Sequence, residues 1–504
     1  MVGAAVAALA LFCIVPLAYL IVVWVIAPAG QASAYGALLL DSRQRGLLLN
    51  TALLGVGTAI MSTLVGVPMG VALARMALPF KAGLRILLAA PALLPSYIVG
   101  LAWLYLGDAS WMDSLPAAVI VLTVVLYPIS MLMTEAAVRG VEPRLEEAAS
   151  LTAAPGRVLW RITLPLALPS ILAAALVIFV LAVSDFGVPA LLRVRVFTTE
   201  IFTAFAALYD SARATALAMP LLLLTLCIAF VSVRLTGHGL VVTWRGLVGG
   251  ELQTFDRWRP AFAGVAVALV LSTLALPVFV LAREARHVNS WTNVMTGSGE
   301  AIRSSLMLAS GGATVVCALA LGLGYARAKA TRAGGVAADV LFVVLFAVPA
   351  TIVGVALIGL WNRAGVAGAI YATSGMFLLV YLAKLMPLAA TALAASLRSV
   401  PASHEEAAAV SGAGWVRTMT RIVLPQVRLG LLAVWVIVFT LAFGELGASV
   451  LVSPPGESTL PIRIYTLIAN APPSQVAALA LLQVAVIFGP LAIGGFALTM
   501  RRRS

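Results

Sequence analysis

The chain is poor in the residues that usually carry chemistry. Of 504 residues only three are Cys and three are His, and charged side chains make up 10%. Cys13, Cys227 and Cys317 each stand alone in an apolar stretch, without a partner at metal-ligand or redox spacing, which argues against disulfides and zinc. His238, His287 and His404 fall in loops, so no pair of helix histidines is present to hold a haem, and a respiratory-type membrane enzyme is disfavoured. The pattern G-x-x-x-x-G-K-[ST] occurs nowhere, so the chain has no phosphate loop of its own. Lys and Arg (32) outnumber Asp and Glu (19), but they are scattered over short loops with no basic, aromatic-interleaved face, which excludes nucleic acid as a partner.

What is present in quantity is apolar. A 62% hydrophobic composition with mean hydropathy +1.09 does not suit a water-soluble core of this length, and marks an integral membrane protein. Stretches long enough to cross roughly 30 Å of hydrocarbon at about 1.5 Å per residue number twelve. They are 4–27, 47–74, 86–106, 116–138, 166–185, 214–233, 261–282, 304–326, 338–361, 367–395, 429–448 and 473–500. The first is followed by a cleavable-looking stretch, Ala27 to Ala34, but lacks a basic n-region and has too long an apolar run for a signal peptide. No charge precedes Asp41, which leaves the true translation start open. With the N-terminus inside, 21 of the 32 Lys and Arg lie in loops on the cytoplasmic side, ten lie outside, and Lys384 alone sits within a span. The positive-inside rule then places both termini in the cytoplasm.

The sequence repeats itself. Glu146 to Pro165 reads EEAASLTAAPGRVLWRITLP, and Glu405 to Pro425 reads EEAAAVSGAGWVRTMTRIVLP. Ala74-Arg75 matches Ala326-Arg327 at an offset of 252, Pro95-Ser-Tyr-Ile-Val-Gly100 matches Pro349-Ala-Thr-Ile-Val-Gly354 at 254, Pro128 matches Pro387 at 259, and Asp185 matches Glu445 at 260. A slowly drifting offset is the mark of a duplicated six-helix unit. The predicted architecture is therefore all-α, about twelve transmembrane helices in two pseudo-symmetric halves, 1–245 and 246–504, joined by a Gly- and Arg-rich linker (235–260). An even number of spans in each half makes the copies parallel, about an axis along the membrane normal, with room for a pore between them. Pro128 and Pro387 predict kinks in the fourth and tenth spans, and Gly66-xxx-Gly70 allows either close helix packing or nothing special.

Each quoted copy (loops 142–165 and 401–425) is a polar insertion between spans on the cytoplasmic side. Its glutamates favour the start of a short Ala-rich helix, which Pro155-Gly156 in one copy and Gly412 with Gly414 in the other interrupt. So small a helix-turn-helix cannot bury its own apolar side chains and needs a partner. At these residues the chain resembles the permease subunits of bacterial ATP-binding-cassette importers, whose cytoplasmic loop carries E-A-A, then Gly, then I-x-L-P. The second copy matches in full: Glu406, Ala407, Ala408, Gly412, and Ile422-Val-Leu-Pro425 after nine residues. The first has Glu147, Ala148, Ala149 and Pro165, but Ala153 stands in place of Gly and the copy is one residue shorter.

The resemblance implies that both loops dock on cytoplasmic cassette ATPases, two in number, and that the chain itself is not an enzyme and binds no cofactor. ATP and magnesium belong to the ATPase. It further implies an exported solute-binding protein and a place in the bacterial inner membrane. Ser184-Asp-Phe-Gly-Val-Pro-Ala190 and Ser453-Pro-Pro-Gly-Glu-Ser-Thr-Leu-Pro-Ile-Arg-Ile-Tyr465 are similar to the fused permeases of ferric-iron importers, while thiamine and aminoethylphosphonate importers share the layout. An ion-coupled secondary carrier is the alternative mechanism. Asp185 and Glu445 are the pathway candidates, because two carboxylates meeting across the axis suit a hard cation. Equally, each could cap a loop or pair with an arginine such as Arg193 or Arg463. Lys384 has three readings, an ion pair with Asp339 or Glu135, snorkelling, or contact with substrate, and is assigned no role.

Overall fold

The computed structural model describes residues 2–26, 41–107, 110–236 and 258–501. Among these there is no strand. The first half runs α1 (Val2–Val25), α2 (Ser42–Arg75), α3 (Lys81–Leu93), α4 (Ser96–Leu104), α5 (Leu115–Arg139), α6 (Pro143–Ser150), α7 (Pro155–Ser184), α8 (Gly187–Leu191), α9 (Phe197–Phe202) and α10 (Ser211–Thr236). The second runs α11 (Arg259–Glu284), α12 (Val288–Lys329), α13 (Arg332–Ala347), α14 (Ala350–Trp361), α15 (Gly375–Leu397), α16 (Ala402–Val410), α17 (Trp415–Phe443), α18 (Ser449–Val452), α19 (Leu460–Ile468) and α20 (Pro473–Arg501). Each helix of the first half thus has its counterpart ten places on. Ten helices are long and apolar enough to cross a membrane, and the count is twelve if α3–α4 and α13–α14 are each one crossing. The stretch 27–34 and most of the linker, 237–257, lie outside the described residues.

Two of the predicted spans are not straight. The chain bends by 88° between α3 and α4 and by 90° between α13 and α14. Pro95 and Pro349 explain where: a proline disfavours helical geometry at the residue before it, and Leu94 and Val348 are extended, with ψ of 132° and 126°. The predicted span 367–395 is likewise in two pieces, a short helix Val366–Tyr371 and then α15.

Pro128 and Pro387, where kinks were predicted, lie within the unbroken helices α5 and α15. The carbonyl that Pro387 leaves without its helical donor is that of Ala383, and the Cys13 thiol donates to it across 3.6 Å. Other prolines are absorbed by single π turns. Ala10–Ile14, Leu159–Thr163, Leu271–Ala275 and Met419–Val423 each end two residues before a proline, at Pro16, Pro165, Pro277 and Pro425. A ring without an N–H drops one rung of the ladder, and a wider turn lets the chain continue as helix.

The halves interlock. α1 packs on α12, α14 and α15 of the other half, and α11 packs on α3 and α4 of the first. Within each half the central pair is α2 against α5, or α12 against α15. Glycine permits that approach: a Cβ on Gly70 would lie 2.5 Å from the Met131 carbonyl oxygen and 2.8 Å from the Thr134 Cβ, and one on Gly66 2.7 Å from the Ser130 Cβ. A Cβ on Gly324, toward the same end of α12, would lie 3.1 Å from the Ala390 carbonyl oxygen and 3.0 Å from the Ala394 nitrogen. Of the two readings of Gly66-xxx-Gly70, close packing is therefore the one observed. Gly70→Val should destabilise the protein by about 1–3 kcal/mol, since backbone and not a flexible side chain must yield, whereas Gly83→Val on α3, which meets only Phe80 at 3.9 Å, should cost much less; thermal melting in detergent compares the two.

Candidate functional site: two paired loops and an axial cavity

The glutamate doublet that opens each loop divides into two roles. In the first loop Glu146, on the first turn of α6, is buried. One carboxylate oxygen takes a salt bridge from Arg75 at the end of α2 (2.8 Å), and the other accepts from Thr163 Oγ1 in the π turn of α7 (2.6 Å). Arg75 is itself 1% exposed and also donates to the Val138 carbonyl. Glu147, the next residue, is exposed. In the second loop Glu405 receives Lys329 (2.8 Å) and the Tyr325 hydroxyl (2.9 Å), while Glu406 is exposed. One glutamate fastens the loop to the bundle and the other faces outward.

The loops end their first helix differently, and this accounts for Ala153. Gly412 has φ +74°, the Gly412 N–H donates to Ala409 O and the Ala413 N–H to Ala408 O, which is a Schellman closure requiring a left-handed residue. In the shorter first loop the Ala153 N–H donates to Ala149 O, and no residue there has positive φ, so Ala suffices. Ala148, Ala407, Pro165 and Pro425 are exposed, Ala149 partly so, and Ala408 is packed inward. Beyond the motif, Leu151 (86% exposed) and its counterpart Val410 (90%) project from the two helix ends, with Trp160 and Val416 also exposed. Both loops thus present an apolar knob beside an exposed glutamate.

The second feature lies where the halves meet. A cavity of about 190 Å³ is lined by Ser96, Tyr97, Ser184, Asp185 and Phe186 from the first half and by Ala350, Lys384 and the segment Gly444–Gly447 from the second. The structure brings Asp185 and Glu445 to this one cavity. Neither pairs with an arginine: Arg193 reaches Asp113 at 3.4 Å, and Arg463 reaches Ser298 Oγ and the Gly297 carbonyl. Each carboxylate caps a short helix instead. Asp185 accepts from the Val188 N–H at the start of α8 (2.8 Å) and from Ser96 Oγ on α4. Glu445 accepts from the Ala448 and Ser449 N–H groups at the start of α18 (2.8 and 2.9 Å) and from Ser449 Oγ.

Lys384 makes neither suggested ion pair. Asp339 holds Arg327, and Glu135 holds Arg85 and Arg139 at 2.7 Å each. The Lys384 ammonium donates to the Phe346 and Val348 carbonyls at the break between α13 and α14, at 3.1 and 2.5 Å. A polar chain not foreseen from sequence crosses the axis: Tyr97 Oη donates to Gln483 Oε1 (2.6 Å), and Gln483 Nε2 donates to the Phe443 carbonyl (3.1 Å), just before Glu445. Among the described residues no group of three or more His, Cys, Asp or Glu is placed to hold a metal ion.

Duplicated loops, parallel halves and a cavity on the axis agree with the comparison against known families. The family described as the binding-protein-dependent transport system inner membrane component matches residues 66–237 and again 318–499. The chain belongs to this family. It is a fused, double-length permease, similar over 454 residues (24% identity, 86% of each chain) to an Fe(3+)-transport system permease protein of Haemophilus influenzae. A putative ferric transport system permease protein of the same organism is 26% identical over 64% of this chain and 54% of its own length. A molybdenum transport system permease protein of Mycobacterium bovis is 34% identical, over 29% of this chain and 60% of its own. The matched permease segments leave out α1 and the whole of α11, the two helices that cross over to the other half.

The doublet predicts two separable phenotypes. Glu146→Ala strands Arg75 in a buried site and should cost about 3–5 kcal/mol; Glu147→Ala, at an exposed position, should leave stability within about 0.5 kcal/mol. Thermal unfolding of the two variants in detergent, side by side, checks the assignment.

Proposed function

We propose that this permease is the non-catalytic membrane subunit of an ATP-driven, binding-protein-dependent importer of ferric iron. Two cassette ATPases dock on α6 and α16, an exported binding protein delivers cargo on the opposite side, and both termini face the cytoplasm of a bacterial cell. The observation that carries this reading is the paired loop: fastened to the bundle by its first glutamate, it presents the second beside an exposed apolar knob, Leu151 or Val410. A partner seated on that knob and held by Glu147 or Glu406 would transmit its motion directly, because Glu146 ties the loop to both α2 and α7. Family membership favours this over an ion-coupled carrier.

Iron as cargo is supported by likeness to the ferric permease of Haemophilus influenzae along most of both chains, whereas the molybdenum relative matches only part of this one. Asp185 and Glu445 frame the proposed pathway, one from each half, and give its wall negative charge. For coupling, Ala149, Ala153, Ala408 and Gly412 shape the docking turn, and Pro165 and Pro425 begin the return into the membrane.

Glu147→Ala combined with Glu406→Ala should lower ATP-dependent uptake of ferric iron by roughly tenfold or more while the protein still inserts and melts normally. Uptake at the parental level in the double variant would sink the docking assignment. Crosslinking in cells followed by mass spectrometry should recover a cassette ATPase and a binding protein with the parent, and less ATPase with the variant.

A further inference from the structure

Lys384 has no charged counterpart in the first half, where the corresponding position is Val125. An ionisable group at this depth is costly unless it has work to do. Its surroundings show what kind. The Phe346 and Val348 carbonyls belong to the C-terminal end of α13, where the helix dipole is negative and a cation is favoured. The ammonium already occupies that cation-favouring end. Its two hydrogen bonds use two of its three N–H donors, the ammonium also lies 5.4 Å from the centre of the Phe346 ring, and the side chain, only partly buried, lines the cavity.

The carboxylates across the cavity are differently placed. Both oxygens of Asp185 and both of Glu445 are engaged with backbone N–H groups or hydroxyls at the starts of α8 and α18. The charged side chains facing the cavity are thus Asp185, Glu445 and Lys384, beside the Tyr97 hydroxyl, which is bonded to Gln483, and the donor still free for a hydrogen bond is the lysine's. A bare hard cation would find carboxylates that already accept hydrogen bonds, and the lysine's positive charge beside them. A cargo that carries an anionic oxygen would find a charged donor at the cavity wall.

We propose that Lys384 is a cargo-binding residue of the permease, and that the cargo passes with an anionic oxygen presented to its ammonium. On the iron reading above, on which this rests for the identity of the metal, the ferric ion moves with an oxyanion ligand still bound, its positive centre toward Asp185 and Glu445 and its anion toward Lys384. The same chemistry could be met by a free oxyanion, and the test separates the two sources.

The complete importer, with its ATPase and binding protein, is reconstituted in proteoliposomes and given radiolabelled ferric citrate in one arm and radiolabelled molybdate in the other. Three variants are compared with the parent. Lys384→Arg keeps the charge; Lys384→Met removes charge and donors; Lys384→Gln is neutral but keeps an amide able to donate to the Phe346 and Val348 carbonyls. The expected result is ferric uptake within about threefold of parent for Lys384→Arg and lowered about tenfold or more, mainly through KM, for both Met and Gln. Uptake of molybdate by the parent, lost in the same two variants, would uphold the anionic-oxygen contact and overturn iron as the cargo. Rescue by Gln to the level of Arg would show that Lys384 only supports the bend, and parental uptake by Met would show that a bare cation passes; either overturns the proposal. No ATP-dependent uptake of either label by the parent would overturn the importer reading and this one with it.

Discussion

A polar group carried into hydrocarbon must find its partner within the protein, and in this chain that constraint decides where the helices break and what stands at the breaks. At Pro95 and Pro349 the backbone leaves the helix by necessity. Groups from elsewhere reach both openings: Asp185 accepts from Ser96 beside the first, and Lys384 donates to the carbonyls around the second. Asp185 and Glu445 in turn satisfy the first N–H groups of α8 and α18, which would otherwise be orphaned. The axial cavity is what remains between these mutually dependent repairs. Its polarity follows from the breaks.

The same constraint is met differently in the two halves, although their helices correspond one to one. On the side of the two loops, Arg75 pairs with the loop glutamate Glu146, whereas in the second half Arg327 pairs with Asp339. Lys329 takes over the loop glutamate, and is 41% exposed where Arg75 is buried. Exposed pairs contribute about 0–1 kcal/mol, whereas breaking a buried one costs several, so α6 is held more firmly than α16. On the outer side Arg43 holds Glu200 in the first half, while Arg463 reaches toward Ser298 in the second. Duplication preserved the helices and rewired their charges, which is tolerable because an ion pair needs only complementary neighbours.

Much of the molecule was legible because bilayer thickness, loop charge and repetition act on the sequence directly. The number of crossings, the two halves and the cytoplasmic loops follow from run length, Lys and Arg placement and matching offsets. The doublets Glu146-Glu147 and Glu405-Glu406 were visible, but not that one member turns inward, since helical phase relative to Arg75 or Lys329 depends on how α6 and α16 seat against the bundle. Pro128 and Pro387 were read as kinks because a missing N–H is local; that the freed Ala383 carbonyl is met by Cys13, some 370 residues away, is not.

By itself the sequence determined that this is a two-fold repeated helical membrane protein with a matched pair of polar loops, for those properties depend on periodicity and composition along the chain. Only the tertiary structure decided that α1 and α11 change sides, that Asp185 and Glu445 cap helices instead of meeting arginines, and that Lys384 leans on a broken helix beside them. Each of these is a choice of partner among groups far apart in sequence, and burial leaves a polar group no alternative but the neighbour that packing brings to it.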